Sequence, residues 1–391
     1  MSVVTLPASP AAQAINALGI DLLRRTPSDA NALLSPYSIQ SALAMTYAGA
    51  DGKTREEMAR VLHYPANEAW LHQSFFEVRR ALRVLVQESA MQSSGDVTPL
   101  ALTTANRLFG QTGLEFRAPF LRLLETNYSA PFQTLDFAND SSGATKHIND
   151  WVEECTRQRI RDLIPDGGLT DLTRLVLVNA IYLKAPWLKP FEEWQTKPRP
   201  FHLADGQTVE VPTMMQQDDF RYEKRDHYSV VGLEYIPRAL QFLILLPDRP
   251  DGLPALQARL NHELLASFAR LKHSEIILSL PKFKLEPPVI QLSVELKALG
   301  MKTAFDDPLG SANFGRMSPG HLFISEVFHK TFLDLDEKGT EAAAATAVEM
   351  SLGIHEPTKP LVVNVDRPFL FAIQDTRTGA CLFLGRVTDP R

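Results

Sequence analysis

Nucleophilic or metal-assisted chemistry in this chain would have to be built from two cysteines and ten histidines, and their spacing suits neither. Cys155 and Cys381 lie far apart, with no metal-ligand spacing and no disulfide framework to join, so free, buried thiols are expected. No two histidines form a metal-binding pair at helical spacing. The chain has no G-x-S-x-G elbow, no H-E-x-x-H motif, no Walker loop and no G-x-G-x-x-G fingerprint. Its carboxylates are numerous, but no pair of them stands out. A triad drawn from distant positions would be a matter of tertiary structure alone. The residues therefore favour a protein that is not an enzyme, with no metal and no other cofactor.

The segment that does ask for an explanation is "EKGTEAAAATAVEMS", residues 337–351. Read as a helix, it has Thr340 as N-cap, Glu341 near the positive end of the dipole, and alanines of high propensity. Read with period two, Thr340, Ala342, Ala344, Thr346, Val348 and Met350 share one small or apolar face. Glu341, Ala343, Ala345, Ala347, Glu349 and Ser351 then share the other face, which carries all the charge. That alternation is the pattern of a half-buried strand. The stretch from Gly339 to Pro360, about twenty residues without a core face, is long for a loop in a compact domain, and such loops are functional or disordered.

The elements around it are sheet-rich. "HLFISEVFHKTFLDLD" precedes the segment and "LVVNV" follows it, both strand-like. "LVLVNAIYL" (175–183) is nearly all apolar, as expected of a strand buried on both faces. "ALQFLILLP", "EIILSLPKFKLE" and the hairpin "FLFAIQDTRTGACLFLGRV" add further strands, with a helix around "LQARLNHELLASFARL". The first third reads as helices. Ser35 caps one that starts at Pro36. Thr54 and Glu57 stand at capping-box separation, and "ATKHINDWVEECTRQRI" is a further amphipathic helix. The 391 residues are 45% hydrophobic and no linker divides them, so an α+β fold in a single domain over 1–391 is expected.

Forty basic against forty-six acidic residues give a net charge of −6, which argues against nucleic acid as a partner. Arg79, Arg80 and Arg83 read as the solvated face of a helix rather than a polyanion site. No apolar run reaches the length of a membrane span. The N-terminus lacks the pattern of a signal peptide, so a cytoplasmic protein is the default expectation, or an extracellular one whose leader is missing.

The hinge "DEKGTEAAAATA" closely resembles the reactive-loop hinge of inhibitory serpins. "LLSPYSIQSALAMTYAGADGKTREEM", "LVNAIYLKAPWLKPFE", "ISEVFHKTFLDLDEKGTEAAAAT" and "DRPFLFAIQDTRTGACLFLGRVTDP" resemble the same family in the same order along the chain. This resemblance implies a serpin fold of three β-sheets with eight to nine helices and an exposed reactive-centre loop, here about 337–360. It also implies a monomer that inhibits a serine protease, or secondarily a cysteine protease, as a suicide substrate. In that mechanism the cleaved loop inserts as a strand of the main sheet. The alternative is a non-inhibitory serpin serving as a binding, chaperone or storage protein. The loop face from Thr340 to Met350 carries no proline and no charge, which favours insertion.

Position by position, the resemblance assigns a hinge to Glu337, Gly339, Thr340, Glu341, Ala342, Ala343, Ala344, Ala345 and Thr346. It assigns a shutter, where the sheet must part, to Ser35, Ser38, Asn179 and His329. It assigns a breach, where insertion starts, to Trp187, Lys282 and Glu337. Counting along the loop puts the reactive bond at Gly353–Ile354. Leu352–Gly353 fits a hydrophobic protease pocket equally well, and Met350–Ser351 comes third. Chymotrypsin-, elastase- or subtilisin-like targets follow, with no polyanion cofactor. Trypsin-like proteases are disfavoured, because Lys359 lies too far along the loop.

Overall fold

The computed structural model describes residues 9–93, 98–340 and 360–391. Nine α-helices occur among them: α1 (Pro10–Arg25), α2 (Pro36–Tyr47), α3 (Gly52–Val61), α4 (Glu68–Gln92), α5 (Ala118–Leu123), α6 (Ser141–Cys155), α7 (Leu253–Arg259), α8 (His262–Ser267) and α9 (Leu292–Ala298). Strands, numbered in chain order, form two hydrogen-bonded networks.

The network that concerns function contains β2 (Ala101–Gln111), β3 (Gln133–Leu135), β4 (Leu175–Pro186), β11 (Ile290–Gln291) and β12 (Ile324–Thr331) side by side. β10 (Phe283–Leu285), β13 (Leu333–Asp336) and β14 (Gly339–Thr340) complete it at one end. β4 is its centre. It pairs antiparallel with β2 along one edge, and parallel with β12 along the other from Leu175↔Ile324 to Ile181↔Thr331. Its apolar run follows from this position. Leu175, Leu177, Ile181 and Leu183 enter one core, while Val176, Val178 and Ala180 enter a second core on the opposite face.

The second network holds β1 (Ala32–Leu34), β5 (Lys197–His202), β6 (Thr208–Arg225), β7 (Tyr228–Glu234), β8 (Leu240–Pro247), β9 (Lys272–Pro281), β15 (Leu361–Asn364), β16 (Phe369–Asp375) and β17 (Cys381–Val387). The 18-residue β6 pairs with β5 from Thr208 to Thr213, with β9 from Thr213 to Tyr222 and with β7 from Arg221 to Arg225. Two of the three expected sheets therefore run into one another through a single long strand.

α2 follows the cap read from its sequence, with Ser35 Oγ accepting the Ser38 N–H and Pro36 opening the first turn. All twelve of its residues are buried. α6 covers the other face of the β4–β12 pair, where Ile148 and Val152 share a core with Val178, Ala180 and Phe328. Three local expectations change. Asp51, not Thr54, precedes α3, and the Thr54–Glu57 pair makes no capping box. Thr54 Oγ1 instead accepts the Asn313 N–H, and Glu57 Oε2 accepts the N–H groups of Lys302 and Thr303. α6 stops at Cys155 because Arg157 and Gln158 adopt left-handed backbone. The single helix expected around 256–271 is broken in two at Asn261, whose side chain caps α8.

Phe328 is fully buried between β12 and α6. Phe328→Ala should lower the urea midpoint by the equivalent of about 3–5 kcal/mol, measured by circular dichroism. An unchanged midpoint would mean that α6 does not clamp this face.

Candidate functional site

Two clusters lie along β4. The first surrounds its middle. His329 on β12 faces Asn179 on β4, which faces Asn106 on β2. The side chains form one chain of hydrogen bonds across the three strands. Nδ1 of His329 meets Asn179 Oδ1, Asn179 Nδ2 donates to Asn106 Oδ1 at 3.1 Å, and Ser38 Oγ donates to the same oxygen at 2.7 Å. The Ser35 backbone N–H donates to His329 Nε2 at 3.1 Å, and Ser35 Oγ donates to the Leu382 carbonyl at 2.7 Å. The four residues assigned to the shutter thus come together, linked by Asn106, which sequence reading missed. Its only signal was an isolated amide between Thr104 and Leu108 in a strand.

Because Nε2 of His329 accepts from Ser35, the imidazole carries its proton on Nδ1 and is neutral. Burial pushes its pKa down to about 3, only partly opposed by the bond to Asn179. Protonation would place an Nε2–H against the Ser35 N–H.

The second cluster sits where β4 ends. Trp187 stacks on Tyr235, with ring centroids 4.4 Å apart, and its Nε1–H donates to the Asp336 carbonyl at 2.9 Å. Its backbone N–H donates to the Lys338 carbonyl at 3.0 Å. Glu337 Oε2 meets Lys282 Nζ at 2.8 Å, and Oε1 accepts from Thr196 Oγ1 at 2.7 Å. Trp187, Lys282 and Glu337, which the resemblance assigns to a breach, are therefore gathered at one end of the sheet. Thr196 and Tyr235 join them without any sequence signal.

The adjacent carboxylates Asp336 and Glu337 shift in opposite directions. Burial raises Asp336, although its Oδ1 accepts the N–H groups of Lys338 and Gly339. Burial also opposes the charge on Glu337, but the bonds from Lys282 and Thr196 outweigh it and hold the carboxyl below its usual range.

Gly339 and Thr340 pair antiparallel with Pro186 and Ala185 of β4. Gly339 has φ +145°, and a Cβ there would lie 2.1 Å from the Ala185 carbonyl oxygen, so only glycine fits. Thr340 is fully buried, and its hydroxyl lies 2.6 Å from Tyr235 Oη. Thr340 is thus the second residue of the short strand β14, at the edge of the described residues. Glu341, Ala342, Ala343, Ala344, Ala345 and Thr346, which the resemblance assigns to the hinge, lie outside the described residues. So do the reactive-bond candidates Met350, Ser351, Leu352, Gly353 and Ile354.

Elsewhere, Cys381 is a buried free thiol and Cys155 a half-buried one. Among the described residues no helix is long and apolar enough to cross a membrane.

Two outcomes follow from this geometry. The Glu337 side chain is 9% exposed and Lys282 37%, so solvent screens the pair in part. Glu337→Gln should cost about 1 kcal/mol, read as a lower urea midpoint with a red shift in tryptophan emission. For His329, the folded pKa lies below the ordinary value of 6.5, so the unfolded chain binds more protons between the two. Its contribution is complete above pH 6.5 and is lost as pH falls toward 3. Between pH 6 and 5 the wild type should therefore lose up to about 1.4 kcal/mol more per pH unit than His329→Gln, measured by urea unfolding at each pH. Equal slopes would place the proton elsewhere.

The family model described as Serpin (serine protease inhibitor) matches residues 13–390. An uncharacterized serpin-like protein of Thermococcus kodakarensis is 36% identical over 386 residues, covering 98% of this chain and 86% of its own. Leukocyte elastase inhibitor of Xenopus laevis is 36% identical over 372 residues, covering 93% and 94% of the two chains. Among solved structures, human thyroxine-binding globulin is similar with a TM-score of 0.81 at 28% identity, covering 98% of this chain and 99% of its own. The family model and these relatives match over nearly the whole chain, and the chain belongs to the serpin family.

Proposed function

We propose that this serpin is a suicide inhibitor of chymotrypsin-, elastase- or subtilisin-like serine proteases, with cysteine proteases as a second target class. The reading takes residues 1–391 as one domain and about 337–360 as its reactive loop. An elastase inhibitor among its relatives supports it.

The observation that carries it is the position of Thr340. Here the chain already pairs with the end of β4. Below that point β4 and β12 are bonded directly to each other as far as Ile181 and Thr331. A strand continuing from Thr340 in the same register would run antiparallel to both, placing Ala342, Ala344, Thr346, Val348 and Met350 on one face. It would replace one parallel seam by two antiparallel ones, with a net gain of backbone hydrogen bonds.

The covalent step belongs to the target. Its nucleophilic oxygen or sulfur adds to the carbonyl carbon of the scissile residue, and the peptide C–N bond breaks. The new amine takes the proton and leaves on the C-terminal peptide, while the acyl bond holds the protease. Insertion of the freed loop then competes with hydrolysis of that bond. The chain itself turns nothing over, so it is an inhibitor and not an enzyme.

Incubation with chymotrypsin, elastase and subtilisin should give a band of summed mass that survives denaturant, and trypsin should give none. The released peptide should begin at Gly353 or Ile354, read by mass spectrometry. Cleavage within 340–356 by all three without such a band would leave a substrate only. That result would favour a binding member of the family, as thyroxine-binding globulin is by name. Thr340→Arg forces an unpaired charge into a fully buried position. It should leave the rate of loop cleavage unchanged and abolish the stable band. A normal band from Thr340→Arg would mean that burial of this side chain is not needed for the loop to follow it into the sheet.

A further inference from the structure

Against Trp187 lies a cavity of about 170 Å³ that the inhibitory mechanism does not use. Trp187, Phe220 and Leu233 form its apolar wall, each exposed by no more than 7%. Most of its charged lining is neutralised in place. Lys189 Nζ lies 2.6 Å from Asp218 Oδ1, and Arg221 lies 2.9 Å from Glu234 Oε1. Asp219 stands 3.7 Å from His273, the two side chains 62% and 38% exposed. Arg238 differs. It lines the same cavity and is exposed, and no carboxylate of the described residues stands within ion-pair distance of it.

The size and the unpaired guanidinium together define a ligand. A cavity of roughly 150 Å³ admits one benzene ring, so this one takes a single aromatic ring with a short arm. A free guanidinium beside an apolar wall selects a planar anion that accepts two parallel N–H bonds, which is a carboxylate. We propose that this cavity binds a small aromatic carboxylate, its ring against Trp187, Phe220 and Leu233 and its carboxylate on Arg238. The ligand would lie against the tryptophan whose two N–H groups hold Asp336 and Lys338, at the root of the reactive loop. Binding there does not depend on whether the chain inhibits a protease.

The test uses the intact, uncleaved chain with phenylacetate as probe, and acetate and phenylacetamide as controls lacking the ring or the charge. Calorimetry should give phenylacetate a Kd on the order of 1 mM, as ten non-hydrogen atoms allow, with both controls at least about tenfold weaker. Arg238→Gln, at an exposed position, should weaken phenylacetate by about tenfold. The indole N–H resonance of Trp187, assigned with Trp187→Phe, should shift on titration. Equal affinity for wild type and Arg238→Gln would overturn the proposal. So would acetate binding as tightly as phenylacetate, or an unmoved Trp187 resonance at saturation.

Discussion

The direct parallel seam between β4 and β12 is the constraint on which the rest of the structure depends. Both faces of β4 are covered, so its backbone donors and acceptors have no water to turn to and must find partners along both edges. β2 supplies one edge, and β12 supplies the other from Leu175 to Ile181. α2 lies behind this seam and α6 in front of it. Each is amphipathic or wholly buried because it has that surface to cover.

The same constraint explains why polar side chains cross the seam in an otherwise apolar region. His329, Asn179, Asn106, Ser35 and Ser38 satisfy one another, and their bonds hold only in one register of three strands. Apolar side chains could slide past each other at little cost. A half-satisfied buried chain of amides, hydroxyls and an imidazole is unfavourable at every intermediate position. The cluster therefore fixes the register of β2, β4 and β12 against one another. The neutral imidazole extends this logic to protons, since a charged ring would lose its bond from Ser35.

At the end of β4 the constraint changes character. β12 leaves β4 after Thr331, and the chain turns through β13 to pair with β10. The edge this exposes on β4 is occupied by Gly339 and Thr340. Gly339 is demanded by the Ala185 carbonyl, and Thr340 by the hydroxyl of Tyr235. Trp187 ties both sides of the turn, and Glu337 is anchored to the separate segments that carry Lys282 and Thr196. The chain up to Thr340 is thus held by several independent contacts, while the seam below it is a two-strand pairing.

Much of this was legible in the sequence wherever the physics is local. The run at 175–183 could only be a strand covered on both sides. Ser35–Pro36 could only start a helix, and a proline-free, small-faced stretch after Gly339 was compatible with a strand. What escaped were partnerships whose signals are not periodic. Thr54 and Glu57 matched a capping box by spacing, yet their side chains bond to segments about 250 residues away. The helix expected across 256–271 broke where an asparagine side chain could cap its second half. Asn106, Thr196 and Tyr235 are single polar residues in unremarkable surroundings, made important by what the fold sets opposite them. Sequence alone determined the elements, because propensity, capping and burial pattern act over a few residues. Tertiary structure decided which side chains hold the seam and the root of the loop, because hydrogen bonds between distant segments depend on register and depth.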